Sequence, residues 1–404
     1  MKTASEHRPT QAIVNLKAIR SNLKHYKAKM APNQGLYAVV KADAYGHGAV
    51  AVAQTVRQEG VDGLCVATVD EAIQLRKAGI DDLPILVLGL TSPYGIAEII
   101  LYDITVTVSN IAFFEIAQDQ LKETPNGAEL MAKGLTFHLA LDTGMSRIGL
   151  KTGQEIADFN QAIKAYSWAH WQGAFTHFST AAEGDNPYLE KQWAKWQYLT
   201  DYLPESVTQR HFANSAMGLH PKYGPLSDIV RLGICLYGLY PDDFVPLNWQ
   251  NSHQLKQVGM DSVLNQMVKS PLELELMPAL SLVTEIVYTK QIEAGECISY
   301  GATYKAEGAE WIATLPIGYA DGWLRAYHDI QVLCQGHICP VLGVINMDQM
   351  MVRLPEYFPI GTQVTLIGQD QGLFNHPSLV AQESGTIGYE ITCNLSQRVP
   401  RVYL

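Results

Sequence analysis

The sequence predicts an α/β fold, a (β/α)8 TIM-like barrel followed by a smaller, mostly β C-terminal domain. Three observations carry this. From Asn15 to about Tyr240, short β-rich apolar runs alternate with segments of helical period, the pattern of parallel strands joined by crossover helices. Beyond Tyr240 the alternation breaks at Pro241, Pro246, Pro271 and Pro278, and from Ala279 onward the chain reads as short strands between Gly- and Pro-bearing turns. At 404 residues, 47% of them hydrophobic, it is long enough for two cores.

Taken in order, the barrel strands are LYAVVK ending at Lys41, LCVA ending at Ala67, ILVLG ending at Gly89 and TVTVS ending at Ser109. LTFHLAL ending at Leu141, QGAFTHF ending at Phe178, RHFAN ending at Asn214 and IVRLG ending at Gly233 follow. Eight strand-helix units are what a closed barrel needs. ALSLVTEIVYTKQI, EWIATLPIGY, DIQVLCQGHICPVLGVI, MMVRLP and QVTLIG supply the β-domain. The expected division is a barrel over 1–244, whose first dozen or so residues are free to pack on the β-domain, a junction or insertion over 245–270, and the β-domain over 271–404.

Composition narrows the partners. A formal net charge of −11 argues against nucleic acid or anionic membrane and for a small soluble ligand, so any anionic ligand needs local basic groups and backbone amides. The six cysteines are scattered, without C-x-x-C spacing, as expected of a reduced cytoplasmic protein. No signal peptide is evident, and LPILVLGL (Leu83 to Leu90) is too short to span a bilayer. His47 and His138 have no ligand-like partner at short spacing, so no metal site is expected.

In a parallel barrel the reactive groups sit where strands end. Strand one ends in Lys41 and runs into Asp43, Tyr45, Gly46 and His47; strand five leads to Asp142, Thr143 and Arg147; strand six presents His177. Strands seven and eight present Asn214, Ser215, Arg231 and Gly233. A desolvated strand-end lysine is a candidate imine-forming residue, although the same lysine could snorkel to the rim. The loops after strands seven and eight are the usual phosphate site of this architecture and offer Ser215 and the Gly233–Ile234 peptide, although Ser215 could be a simple N-cap. Together with the lysine they suggest pyridoxal 5'-phosphate. Arg231 could instead be a structural arginine paired with Asp228. Dinucleotide, P-loop, zincin and nucleophile-elbow motifs are absent from the sequence.

These residues resemble the alanine racemases, pyridoxal-phosphate enzymes built on a barrel plus a β-domain. The likeness covers nearly the whole chain: AVVKADAYGHG (Ala38 to Gly48), LDTGMSRIG (Leu141 to Gly149), THFSTA (Thr176 to Ala181), ANSAMG (Ala213 to Gly218) and VRLGICLYGLYP (Val230 to Pro241). SYGATY (Ser299 to Tyr304), IGYADGW (Ile317 to Trp323), NMDQMM (Asn346 to Met351), GYE and QRVPR complete it in the family's order. The resemblance implies that Lys41 and Tyr300 are the two catalytic bases, with Lys41 also holding the cofactor. Tyr45, Ser215, Gly233, Ile234 and Tyr389 match the family's phosphate contacts, and Arg231 matches the residue facing the pyridine nitrogen. His177 is a cofactor-side neighbour of Tyr300. Arg147, Tyr319, Met347 and Asp348 match the substrate pocket and entrance, and the β-domain residues are expected from the other subunit of a homodimer.

The implied reaction interconverts L- and D-alanine, supplying D-alanine for peptidoglycan, with a serine or broad-specificity racemase as the alternative. Against serine stands Tyr389. A tyrosine base needs its anion stabilised, which His177 and Arg147 could do as cations. Two departures are visible: Ala140 stands where many relatives carry a carbamylated lysine that positions the arginine, and Asn346 where some carry cysteine. An anion, a water or a nearby acid is expected to replace the lost charge beside Arg147.

Overall fold

The computed structural model describes residues 4–183, 186–241, 245 and 274–404. Two compact units divide the chain: one holds Tyr26–Ala44 and Ala49–Leu236, the other the described residues up to His25, Tyr45–Gly48 and those from Tyr237 on. The second unit therefore takes in more of the N-terminal chain than its first dozen residues. The proposed junction over 245–270 lies almost wholly outside the described residues, and so do both of its flanking boundaries, 244 and 271.

The first strand, β1 (Gln11–Val14), belongs to the second unit. The barrel unit follows as β2 (Gly35–Val39), β3 (Gly63–Val66), β4 (Ile85–Leu90), β5 (Thr105–Val108), β6 (Leu135–Ala140), β7 (Ala169–Phe175), β8 (Gln209–His211) and β9 (Ile229–Leu232). All pairings are parallel, β2 through β8 in sequence with β9 beside β2. The circle closes between β8 and β9 through the Ala213–Val230 bridge and the Arg231 N–H, which donates to the Ala213 carbonyl at 2.9 Å. Every residue of β3, β5 and β9 is buried, so these strands read as continuous apolar runs rather than alternating ones. The intervening helices start where the sequence offers caps: Thr68 with Glu71 and Thr152 with Glu155 each form a reciprocal capping box.

The eight expected runs all become strands, but several overreach. Lys41, Phe178, Asn214 and Gly233 lie beyond the last ladder residue, in the turns that leave the sheet. Lys41, His177 and Ser215 stand on those turns, whereas Arg231 is a buried residue of β9 itself.

The second unit adds β10 (Leu280–Glu285), β11 (Tyr288–Ile292), β12 (Cys297–Ile298), β13 (Tyr304–Lys305), β14 (Glu310–Leu315), β15 (Gln331–Cys334), β16 (His337–Leu342), β17 (Met350–Leu354), β18 (Gln363–Asp370), β19 (Leu373–Asn375) and β20 (Arg401–Tyr403). Its main sheet runs β11-β14-β17-β16-β15-β18-β10-β1-β20. The single apolar run ALSLVTEIVYTKQI divides into β10 and β11, with Ile286 and Val287 at the turn. β15 and β16 are joined at Gln335-Gly336, both at positive φ (52° and 76°), the geometry of a tight hairpin turn. Trp323, Tyr327 and Met350 anchor the core beneath the sheet. Two helices, Pro377–Glu383 and Gly388–Cys393, complete a unit that is mostly β.

Candidate active site

Lys41 leaves β2 into a backbone turn that its sequence does not favour. Ala42, Asp43, Ala44 and Tyr45 have φ of 53–54°, and Gly46 follows at 82°. A left-handed turn costs roughly 1–2 kcal/mol per non-glycine residue, so neighbours must hold it. In the barrel unit, Glu71 accepts from the Ala42 N–H at 2.7 Å, the Asp43 carboxylate accepts from the Ala49 N–H at 2.7 Å, and Ala44 N–H donates to the Val40 carbonyl at 2.9 Å. This fixes the direction in which Lys41 leaves the strand. Gly46 is required for a second reason: a Cβ there would lie 2.0 Å from the Thr392 carbonyl oxygen.

Three cations converge on this end of the barrel. His177, half-buried at the end of β7, has its pKa lowered to about 3, first by burial and then by the charges of Arg231, Arg147 and Lys41. It is therefore neutral near pH 7, not the cation expected beside Tyr300. Burial raises the Cys65 thiol to about 12, against the opposing pull of Arg231 and Lys41, so a neutral thiol lies beneath both.

Arg231 is buried, and its pKa is lowered to about 10, by burial first, so it keeps its charge near neutral pH. Its guanidinium donates to His211 Nδ1 at 2.6 Å and to the Thr176 and Phe212 carbonyls at 2.8 and 3.3 Å. The pairing with Asp228 is overturned: Asp228 accepts instead from the Arg210 N–H at 2.6 Å. Arg147 is exposed, at the edge of a small cavity of about 20 Å³ lined by Ala140, Asp142, Thr176 and His177 among others. Asp142 turns its carboxylate to the Gly144 and Ser146 N–H groups, at 2.9 Å each, and forms no ion pair with Arg147.

The loops after β8 and β9 are joined by Ser215, whose Oγ accepts from the Gly233 N–H at 3.0 Å. Buried Tyr26 donates to the Ser215 carbonyl at 2.9 Å, and Gly218 leaves room for Tyr26, since a Cβ there would lie 2.4 Å from its Oη. The next N–H, that of buried Ile234, meets no acceptor among the described residues. A hydroxyl and an unspent backbone donor at a strand end suit a phosphate group. The N-cap role suits Asn214 better, for its side chain accepts from the Ala216 and Met217 N–H groups.

The second unit gathers the remaining candidates in two places. Tyr45 lies with its ring centroid 4.7 Å from Tyr237 and 6.1 Å from Tyr389. Elsewhere, Tyr319 N–H donates to the Asn346 carbonyl (3.1 Å) and Ala320 N–H to the Met347 carbonyl (3.0 Å), tying these two segments together. Gly318 permits this approach, because a Cβ would lie 2.2 Å from the Asn346 oxygen. Asp348 pairs with Arg398 at 2.8 Å, and Arg398 and Arg8 both engage fully buried Asp321. Ser299, at φ 65°, donates to the Val344 carbonyl at 2.6 Å and sets the start of the Tyr300 turn. Tyr300 (74%), Met347 (53%) and Tyr319 (38%) are all exposed, Tyr300 the most of any large hydrophobic side chain among the described residues.

Sequence reasoning did not single out Glu71, Cys65, His211, Gln172, Ser299, Arg8 or Asp321. A signal existed for His211, a polar residue inside a buried strand run; the others are defined by contacts distant in sequence. Among the described residues no cluster of His, Cys, Asp and Glu could hold a metal ion, and no helix is long and apolar enough to cross a membrane.

Comparison with known proteins gives a consistent result. The family model for the alanine racemase N-terminal domain matches residues 14–241, and that for the C-terminal domain matches residues 279–403. The alanine racemase of Ligilactobacillus salivarius (strain UCC118) is 41% identical over 98% of both chains, and that of Streptococcus suis (strain 98HAH33) 41% over 99% of both. Among solved structures, alanine racemase from E. faecalis superimposes with a TM-score of 0.87 at 38% identity over the whole of both chains. A histidine racemase from Leuconostoc mesenteroides subsp. sake is similar in fold, with a TM-score of 0.83 at 29% identity over both whole chains.

Proposed function

Because this chain belongs to the alanine racemase family, and so is an isomerase acting on the enantiomers of alanine, we propose that Lys41 and Tyr300 are its two bases and pyridoxal 5'-phosphate its cofactor. The observation that carries the cofactor reading is the barrel-end constellation. Lys41 is fixed by a left-handed turn, it and charged Arg231 both act on the buried Cys65 thiol, and the Ser215–Gly233–Ile234 loops carry an unspent buried donor.

Lys41 would attach the cofactor; Tyr45, Ser215, Gly233, Ile234 and Tyr389 would hold its phosphate, and Arg231 its ring nitrogen. When bound, the group withdraws electrons from the substrate and acidifies the Cα proton. Racemisation removes that proton from one face and returns one to the other, which a single fixed base cannot do. Lys41 Nζ serves one face and Tyr300 Oη the other. Arg147 orients the substrate carboxylate, with Tyr319, Met347 and Asp348 shaping the entrance, while neutral His177 orients the phenol and leaves charge stabilisation to Arg147.

The exposure of Tyr300, Met347 and Tyr319 supports a homodimer in which a second copy covers these side chains and the active sites are shared. The domain reading accompanies it: a cofactor-binding barrel within 1–244, with the N-terminal residues up to His25 counted in the β-domain's unit, a junction over 245–270, and a β-domain over 271–404. Six free cysteines support a cytoplasmic location, and the product would serve peptidoglycan synthesis. The serine or broad-specificity alternative is not favoured, since the similar proteins at about 40% identity are alanine racemases.

The test is deuterium exchange at Cα of the alanine and serine enantiomers. Lys41→Ala is expected to abolish exchange on both alanine enantiomers. Tyr300→Phe is expected to cut exchange from one enantiomer by at least about 100-fold, the usual weight of a general base. Equal, wild-type exchange on both enantiomers in Tyr300→Phe would remove the two-base reading.

A further inference from the structure

Within the barrel, Arg231 begins a line of polar side chains that descends away from the candidate site. Arg231 Nη1 lies 2.6 Å from His211 Nδ1, His211 Nε2 lies 2.8 Å from His138 Nδ1, and His138 Nε2 lies 3.2 Å from Gln172 Oε1. Strand register gives the direction: His211 is level with Phe175, His138 is level with Gly173, and Gln172 comes one residue earlier on β7. The first three side chains are buried, whereas Gln172 is exposed and lines an open cavity with Thr136, His170 and Ser206.

The chemistry of the first member orders the rest. A guanidinium has only donors, so His211 Nδ1 must accept and the ring proton must sit on Nε2. That proton is donated to His138 Nδ1, which places the His138 proton on Nε2 and aims it at the Gln172 oxygen. Any extra proton on either ring would set N–H against N–H. Both histidines are in fact held neutral, mainly by burial: the pKa of His138 is lowered to about 4 and that of His211 well below its ordinary value.

Two local departures from regular structure serve this line. The β6–β7 ladder pairs Phe137 with Trp171 but His138 with Gly173, so Gln172 is the extra residue of a β-bulge, a device that re-aims a side chain. At Gly173 a Cβ would lie 2.8 Å from both His138 Cε1 and Nδ1, so only glycine leaves room for that ring.

We propose that Arg231, His211, His138 and Gln172 form a one-way hydrogen-bond chain, and that Gln172, at the opposite end of the barrel, is a positioning residue for Arg231. The proton order concerns the chain's own side chains. Its consequence for the reaction rests on the cofactor reading above: a displaced Arg231 no longer opposes protonation of the ring nitrogen, and transamination gains on racemisation.

The experiment uses the cofactor-loaded enzyme with ¹⁵N-labelled histidines, recorded by NMR near neutral pH. His138 and His211 are expected as neutral Nε2–H tautomers, unchanged in Gln172→Glu, which keeps an acceptor. Gln172→Met, with no acceptor, is expected to raise the transamination-to-racemisation ratio by about 5-fold, the equilibrium weight of one lost hydrogen bond. Gly173→Ala, which displaces the His138 ring, is expected to do the same. An Nδ1–H tautomer on either wild-type histidine overturns the chain, and a wild-type ratio in Gln172→Met overturns the positioning role. The tautomers are read whether or not the protein is active, so failure of the cofactor reading alone leaves a distinct result: ordered histidines without cofactor-dependent proton exchange.

Discussion

One carboxylate, that of Glu71, carries two duties. Its Oε2 accepts from the Ala67 and Thr68 N–H groups and closes the capping box of the helix Val69–Lys77, while Oε1 accepts from Ala42 in the turn after Lys41. Glu71→Ala is expected to cost about 2 kcal/mol, from a lost cap and an orphaned turn amide. It should also loosen cofactor retention; denaturant melts and absorbance after dialysis measure the two effects. Lys41 and Arg231 were legible in the sequence because a charge at the end of, or inside, an apolar run demands an explanation. Glu71 was not, because its acceptor role is set by a turn 29 residues away whose shape the local sequence does not announce.

That turn is the clearest case of an element overriding propensity. Four successive non-glycine residues sit at positive φ, and only Gly46 hints at it in the sequence. Ala42 is exposed and holds this conformation without using its methyl group, so Ala42→Gly should stabilise the protein by up to about 1 kcal/mol where the same change in an ordinary helix would destabilise it. Thermal unfolding of the variant decides the sign. The eight barrel strands were legible for the opposite reason: buried parallel strands leave continuous apolar runs. The bulge at Gln172 was not, since one extra residue leaves no compositional mark.

Across the whole molecule, buried neutral histidines set an acid limit. His138 and His376 have folded pKa values lowered by burial to about 4 and about 3 from 6.5, so the unfolded chain binds more protons as pH falls. Their contribution is complete above about pH 6.5 and is lost as pH falls toward the folded values, at up to about 1.4 kcal/mol per pH unit for each ring. Unfolding free energy measured from about pH 5 to pH 8 should rise and then level, and His376→Asn, which keeps an acceptor at the helix start, should flatten part of the slope. An unchanged slope in that variant would remove His376 from the account.

The seating of β1 also bears on the order in which the molecule can be built. This strand pairs antiparallel with β10 and parallel with β20, so Gln11–Val14 waits for a partner, Arg401–Tyr403, that is synthesised after every strand of the barrel. The barrel strands pair mostly with neighbours in sequence, and their circle is complete once β9 has emerged. Synthesis thus leaves Gln11–Val14 with one edge unclaimed until β20 has emerged. The strand is four residues long with two inward side chains, and that brevity limits its appetite for wrong partners during the wait.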